Sequence, residues 1–264
     1  MALELEMAAD DPLSFPRVDL LGLELCRLTR HEVVDRAAVA LERGQGGWLL
    51  TATLDYLRLF STDASARALF SQANMVVADG VPLLWAAQLQ GRALPDRVAG
   101  SDLVWLLAER AARDGRSIYL LGGNPGAAEE AAWRLRDRWP SLRIAGTSSP
   151  RVSQHPSPGE LAGLRAVLEE AEPDLIYVGL GMPKQDRVIS ALRPHFPKAW
   201  WIGVGISFSF MSGEVLRAPR WMQRAGLEWV HRLLQEPRRL SRRYLVEGLP
   251  FALRLLSESW RLRK

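Results

Sequence analysis

The stretch SIYLLGGNPG, Ser117 to Gly126, runs from a continuous apolar strand into a glycine-rich corner and on into a helix, for which Asn124 can cap and Pro125 fits the first turn. A strand that is apolar at successive rather than alternate positions is buried on both faces, which indicates a parallel sheet covered by helices on each side. Runs of the same kind recur as GWLLTAT (Gly47 to Thr53), MVVAD (Met75 to Asp79), LRIAG (Leu142 to Gly146), DLIYVGLG (Asp174 to Gly181) and AWWIGVG (Ala199 to Gly205). Helical patterns lie between them. One opens on a capping box, Thr29 with Glu32, and continues through Val33, Val34, Ala37 and Leu41 to Gly44. Another follows Asp79 through Leu83, Leu84 and Ala87 to Gly91. The expectation is a doubly wound, mostly parallel α/β sheet over residues 1–216. The Pro/Ser-rich loop from Ser148 to Gly159 joins its halves, and a C-terminal helical appendage covers residues 217–264, with a break at Gly248–Pro250.

A chain of 264 residues, 48% apolar and 24% charged, can bury the core of one large domain. Its charge is unevenly placed. Residues 217–264 hold twelve basic and four acidic side chains, a net of +8 against +4 for the whole chain, which leaves −4 on residues 1–216. The single cysteine, Cys26, excludes an internal disulfide, reads as a core residue and suits a reducing compartment. The acidic N-terminus, MALELEMAADD, lacks the order of a signal peptide, and no run reaches the ~18 apolar residues that span a bilayer. A cytoplasmic protein held peripherally at the inner face of the membrane is expected. From Arg217 to Leu245, arginines alternate with Trp221, Leu227, Trp229, Leu233, Leu234 and Leu240. Such a segment suits an anionic membrane surface or a diphosphate-linked lipid, which offer negative charge and apolar matter together; no nucleic-acid partner is implied. A homo-oligomer is compatible with the sequence.

In a doubly wound sheet, ligands bind at the carboxyl ends of the strands. Leu120 to Gly126, with Gly122 and Gly123, can present backbone N–H groups and a helix dipole to a phosphate, or it can be a plain tight turn. Val178 to Asp186 has the same context, with Gly181 and Pro183, plus Lys184 and Gln185, which a simple turn would not need. Lys184 can neutralise a diphosphate and Gln185 can read an amide or hydroxyl. Asp79, before Gly80, stands where partial burial can make it a general base, or where it can cap the next helix. Arg97 can face the same crevice or merely pair with Asp96 or Asp102. Thr51 and Thr53 are polar strand-end residues beside it, and Asp55 reads as a surface residue of the following helix. The chain carries no G-x-G-x-x-G fingerprint, P-loop, Asp-x-Asp or Cys/His cluster, and His31, His155, His195 and His231 are scattered, so no cofactor or metal is expected.

Taken together, these loops resemble the WecG/TagA/CpsF family of bacterial glycosyltransferases from about Val18 to Tyr244. The segments that carry the resemblance are ADG (Ala78 to Gly80), RVAGSDL (Arg97 to Leu103), LLGGNPG, VGLGMPKQD, GVGISFSFMSGEVLRAP (Gly203 to Pro219) and GLEWVHRLLQEPRR (Gly226 to Arg239). The resemblance implies a Rossmann-like fold and a metal-independent, inverting transfer. The donor would be a UDP-sugar: UDP-N-acetylmannosamine, its uronic acid, or a hexose such as glucose. The acceptor would be a polyprenyl-diphosphate-linked sugar of cell-envelope polysaccharide synthesis. It implies Asp79 as general base, Arg97 near the donor and Gln185 as a sugar-nucleotide contact. Arg217, Arg232, Arg238, Arg239, Arg242 and Arg243 would belong to an appendage that touches the membrane and closes over the diphosphate. Where many members read T-x-N, this chain reads Thr51–Ala52–Thr53, and PKQE is PKQD, with Asp186. An NAD-dependent α/β oxidoreductase and a non-catalytic sugar-nucleotide-binding protein are the competing readings.

Overall fold

The computed structural model describes residues 11–263; most of the acidic N-terminal stretch read above, residues 1–10, lies outside them. The chain opens with an antiparallel hairpin, β1 (Arg17–Leu20) and β2 (Leu23–Cys26), turned at Leu21–Gly22. There follow α1 (Arg30–Glu42), β3 (Gly47–Ala52), α2 (Leu54–Thr62), α3 (Ala64–Phe70), β4 (Met75–Ala78), α4 (Val81–Leu89) and α5 (Gly100–Asp114). Next come β5 (Ser117–Gly122), α6 (Ala127–Arg138), β6 (Arg143–Ser148), α7 (Pro158–Ala171), β7 (Leu175–Gly179), α8 (Lys184–Leu192), β8 (Trp200–Gly203) and α9 (Ser207–Ser212). The appendage consists of α10 (Arg220–Arg224), α11 (Glu228–Gln235), α12 (Pro237–Ser241), a π-helical segment (Arg242–Gly248) and α13 (Leu249–Arg261).

Six strands form one wholly parallel sheet in the order β4-β3-β8-β7-β5-β6. The continuous apolar runs explain it. Along each strand, alternate side chains go to opposite layers: Trp48, Leu50 and Ile176 to one, Leu49, Leu175 and Tyr177 to the other. The adjacent Trp200 and Trp201 are both fully buried, one in each layer. Helices α1, α5 and α6 cover one face; α2, α3, α4 and α8 cover the other. The capping box of α1 forms as read, with Thr29 accepting from the Glu32 N–H and the Glu32 carboxylate from the Thr29 N–H at 2.7 Å.

Topology fixes where a ligand can sit. From β5 the chain crosses to the edge strand β6, whereas from β7 it crosses the other way to β8, so the β5/β7 boundary is a switch point. The two glycine corners meet there, the Gly123 N–H donating to the Gly179 carbonyl at 2.8 Å. A Cβ on Gly122, at φ +105°, would stand 2.8 Å from Gly179 backbone, so no other residue fits.

Three expectations need correction. Helix α6 begins at Ala127, capped by a left-handed Gly126, not at Asn124–Pro125; the Asn124 amide is drawn away to Glu214 at 2.9 Å. Gly248–Pro250 is not a break, because Gly248 and Leu249 hold right-handed helical angles and Pro250 falls in the first turn of α13, where its missing N–H costs nothing. Leu240 is fully buried, so it is a packing residue and not a membrane anchor.

Candidate functional site

The carboxyl ends of the strands carry two neighbourhoods. The first is an open cleft of about 780 Å³ at the β5/β7 switch point. Gly123 and Asn124 line it from one corner, Gly179, Gly181 and Lys184 from the other, and Arg151, Ser153 and Glu160 from the Pro/Ser-rich loop and α7. The appendage contributes Glu236 and Arg239, which pair with each other. Arg151, Lys184 and Arg239 therefore line one volume together with the acids Glu160 and Glu236, a polar setting in which three cations can meet an anionic group. Lys184 donates to the Val152 carbonyl at 3.1 Å, which holds its ammonium at the wall. Pro183 stands just before α8, after a cis Met182–Pro183 bond. For Arg151 and Glu236 the only signal in the sequence is their place in the Pro/Ser-rich loop and the GLEWVHRLLQEPRR segment.

The second neighbourhood surrounds Asp79. The Asp79 N–H donates to Ala52 at the end of β3, and its side-chain Oδ2 accepts from the Gly100 N–H at 3.2 Å. It thus faces the N-terminus of α5 and does not cap α4, whose cap is Gly80 with no side-chain bond. Burial pushes the Asp79 carboxyl up to about 7; Arg97 draws it down, Glu228 and Asp102 raise it, and the Gly100 N–H lowers it. Beside it, the Thr51 hydroxyl donates to the Gly203 carbonyl at 3.4 Å, while the buried Thr53 hydroxyl has no protein partner. A buried hydroxyl without a partner is costly unless a ligand or water completes it.

Arg97 pairs with neither carboxylate considered in the sequence. Asp96 is taken by Arg30 at 2.6 Å and Asp102 by Arg217 at 2.6 Å, and Arg97 reaches across to Glu228 of the appendage at 2.8 Å. Asp55, read as a surface residue, is buried, because Arg243 and Arg58 converge on it and Arg58 also holds Glu247 at 2.8 Å. The arginines thus divide. Arg217 shares Glu228 with Arg97, Arg239 lines the cleft, Arg232 lies 3.8 Å from Glu236, and Arg238 is exposed.

Gln185 lies between the two neighbourhoods and is buried. Its Nε2 donates to the Tyr56 hydroxyl at 2.9 Å and its Oε1 accepts from the Gly205 N–H at 3.2 Å. A Cβ on Gly203 would meet that amide at 2.6 Å. Gln185 therefore clasps the loop after β8 to α2. Tyr56 in turn donates to the buried Asp186 carboxyl at 3.0 Å, and burial raises Asp186 to about 7. Among the described residues, no group of three or more His, Cys, Asp or Glu is arranged to hold a metal ion.

Comparison with known proteins gives a consistent picture. The model of the glycosyl transferase WecG/TagA/CpsF family matches residues 18–264, past Tyr244 and through α13. The chain is 32% identical over 188 residues to the N-acetylglucosaminyldiphosphoundecaprenol N-acetyl-beta-D-mannosaminyltransferase of Bacillus subtilis, covering 71% of this chain and 70% of that relative. It is 30% identical over 226 residues to the protein of the same name from Bacillus spizizenii, covering 86% and 84%.

Proposed function

The chain belongs to the WecG/TagA/CpsF family of glycosyl transferases, and from that premise we propose that it moves a sugar from a UDP-sugar to a polyprenyl-diphosphate-linked sugar, with inversion and without a metal. The observation that carries this reading is the Asp79 carboxyl. It is held near neutrality at the mouth of β4, beside an arginine that the appendage reaches. In the proposed step, Asp79 accepts the proton of the acceptor hydroxyl while the acceptor oxygen bonds to the anomeric carbon of the donor. The bond from that carbon to the UDP oxygen breaks, and its electron pair leaves with UDP. Arg97, Arg217, Lys184 and the N–H groups of the glycine corners offset the charge that develops there.

The names of the relatives favour N-acetylmannosamine as the transferred sugar and an N-acetylglucosaminyl diphosphoundecaprenol as acceptor. Thr53, where many members carry asparagine, keeps the uronic acid and a plain hexose among the donors to test. No helix among the described residues is long and apolar enough to cross a membrane. The site would therefore meet its lipid substrate from the surface of the bilayer, through the appendage.

UDP release, followed with each donor in the presence and absence of a lipid-linked N-acetylglucosamine acceptor, tests the reading. Release should require both substrates and persist in EDTA. Release lost on chelation and restored by magnesium or manganese would overturn the metal-free step, and no acceptor-dependent release from any donor would overturn the transfer itself.

A further inference from the structure

We propose that Glu228 of the appendage is a positioning residue for transfer, setting the Arg97 guanidinium that bears on Asp79. The proposal rests on the reading of Asp79 as the base. Glu228 opens α11 and bridges two guanidiniums that lie 120 residues apart in the chain: Oε2 accepts from Arg97 Nη1 at 2.8 Å and Oε1 from Arg217 Nε at 3.4 Å. Arg217 donates through Nη1 to Asp102 Oδ1 at 2.6 Å, and the other Asp102 oxygen faces Arg30 at 3.4 Å. Arg97, Glu228, Arg217, Asp102 and Arg30 thus form a row of alternating charge in which core and appendage interleave. Their shielding matters: the side chains of Arg97 and Glu228 are only 17% and 18% exposed, so solvent screens the pair far less than a surface ion pair.

An independent feature presses the same turn onto the site. Gly226, two residues before Glu228, has φ +72°, and a Cβ there would stand 3.0 Å from both methyl groups of Val81. Only glycine lets the appendage come this close to the first residue of α4, itself two residues after Asp79. The groups that bear on Asp79 are Arg97, Glu228, Asp102 and the Gly100 N–H. Glu228 therefore acts on the base in two opposed ways, raising the carboxyl through its own charge and holding in place the Arg97 guanidinium that favours the ionised form.

The test compares transfer across pH for the full-length wild type, Glu228→Gln, Glu228→Asp, Arg97→Ala, the Arg97→Ala/Glu228→Gln double variant and Asp79→Asn. Glu228→Gln should lose on the order of tenfold in kcat with little change in KM. Its acid limb should move to lower pH, because a negative neighbour of Asp79 is gone and Arg97 is no longer neutralised. Glu228→Asp keeps the charge and should recover most of the rate. Above the acid limb the double variant should be no slower than Arg97→Ala alone, since the loss in kcat runs through Arg97 and the charge of Glu228 itself moves only the limb. Losses that multiply in the double variant overturn the proposal whatever Asp79 does. An acid limb that stays in place in Glu228→Gln, where Asp79→Asn is inactive, overturns it as well. An active Asp79→Asn instead removes the base reading and leaves the coupling of Glu228 to Arg97 to be judged on its own.

Discussion

As the proposed base, Asp79 must be ionised to accept a proton, yet burial favours its neutral form, and the balance near 7 would make transfer depend on pH. The sign is fixed by the role. Below about 7 the carboxyl already carries a proton and cannot take another, so kcat/KM should rise with pH through that value as one group titrates. Asp79→Asn should abolish this limb and lower turnover by about 10²-fold or more, the usual cost of losing a general base. UDP affinity should stay close to that of the wild type, because the cleft at the β5/β7 switch point is built from other residues. A pH–rate profile and calorimetric UDP titration check both halves, and a folded Asp79→Asn variant with near-normal turnover would move the base role elsewhere. Gln185 is the residue most changed by the structure. Its amide is engaged on both atoms by Tyr56 and Gly205, so it shapes the loop after β8, a role the sequence did not suggest.

The joint between α2 and α8 is built on one buried acid. Asp186 sits buried in the first turn of α8 and receives the Tyr56 hydroxyl from α2, and burial raises it from 3.8 to about 7. Between those values the folded chain holds a proton that the unfolded chain has released, so this group's contribution to stability falls as pH rises from about 4 to about 7. Asp186→Asn keeps an acceptor for Tyr56 and has no charge to bury. Denaturant melts at pH 5 and pH 8 should show a smaller loss of stability with rising pH in the variant than in the wild type; an unchanged difference would mean that Asp186 does not titrate there. The elements themselves were largely legible in the sequence, because five of the six sheet strands are buried on both faces and therefore spell continuous apolar runs. The hairpin β1–β2 carries a fainter signal, four-residue strands in which Val18, Leu20, Leu23 and Leu25 alternate inward with the period of a half-buried strand. What stayed hidden was set by distant partners. Nothing local tells Asp55 that Arg243 will bury it, sends Asn124 to Glu214, or gives Arg97 to Glu228 in place of its sequence neighbours.

For the molecule as a whole, the charge is divided, −4 on residues 1–216 and +8 on residues 217–264, but the appendage is not simply tethered to the core. Phe251 and Leu255 of α13 are buried in the same layer as Leu83, Ala86 and Ala87 of α4, and Arg217 and Arg243 pair with acids of the core. Deleting the appendage would therefore strip part of the core, and substitutions on its outer surface are the cleaner probe of membrane contact. Trp221 and Leu234 remain 64% and 75% exposed, and the exposed Arg220 and Arg242, the latter 3.3 Å from Glu247, stand on the same appendage. Each arginine near an anionic leaflet contributes about 1 kcal/mol, and a buried indole or leucine adds an apolar share. The full-length protein should therefore sediment with phosphatidylglycerol vesicles at low salt, leave them as salt is raised, and ignore phosphatidylcholine vesicles. Replacing Trp221 and Leu234 by alanine and Arg220 and Arg242 by glutamine should release it, because about 2 kcal/mol of electrostatic attraction and both exposed anchors are removed. UDP should still bind, since none of the four side chains lines the cleft. Transfer should then fall with a lipid-linked acceptor in vesicles but not with a short-chain, water-soluble one, which needs no membrane. Equal sedimentation of variant and wild type, or a wild type indifferent to anionic lipid, would leave the appendage as a brace that closes the site without touching the bilayer.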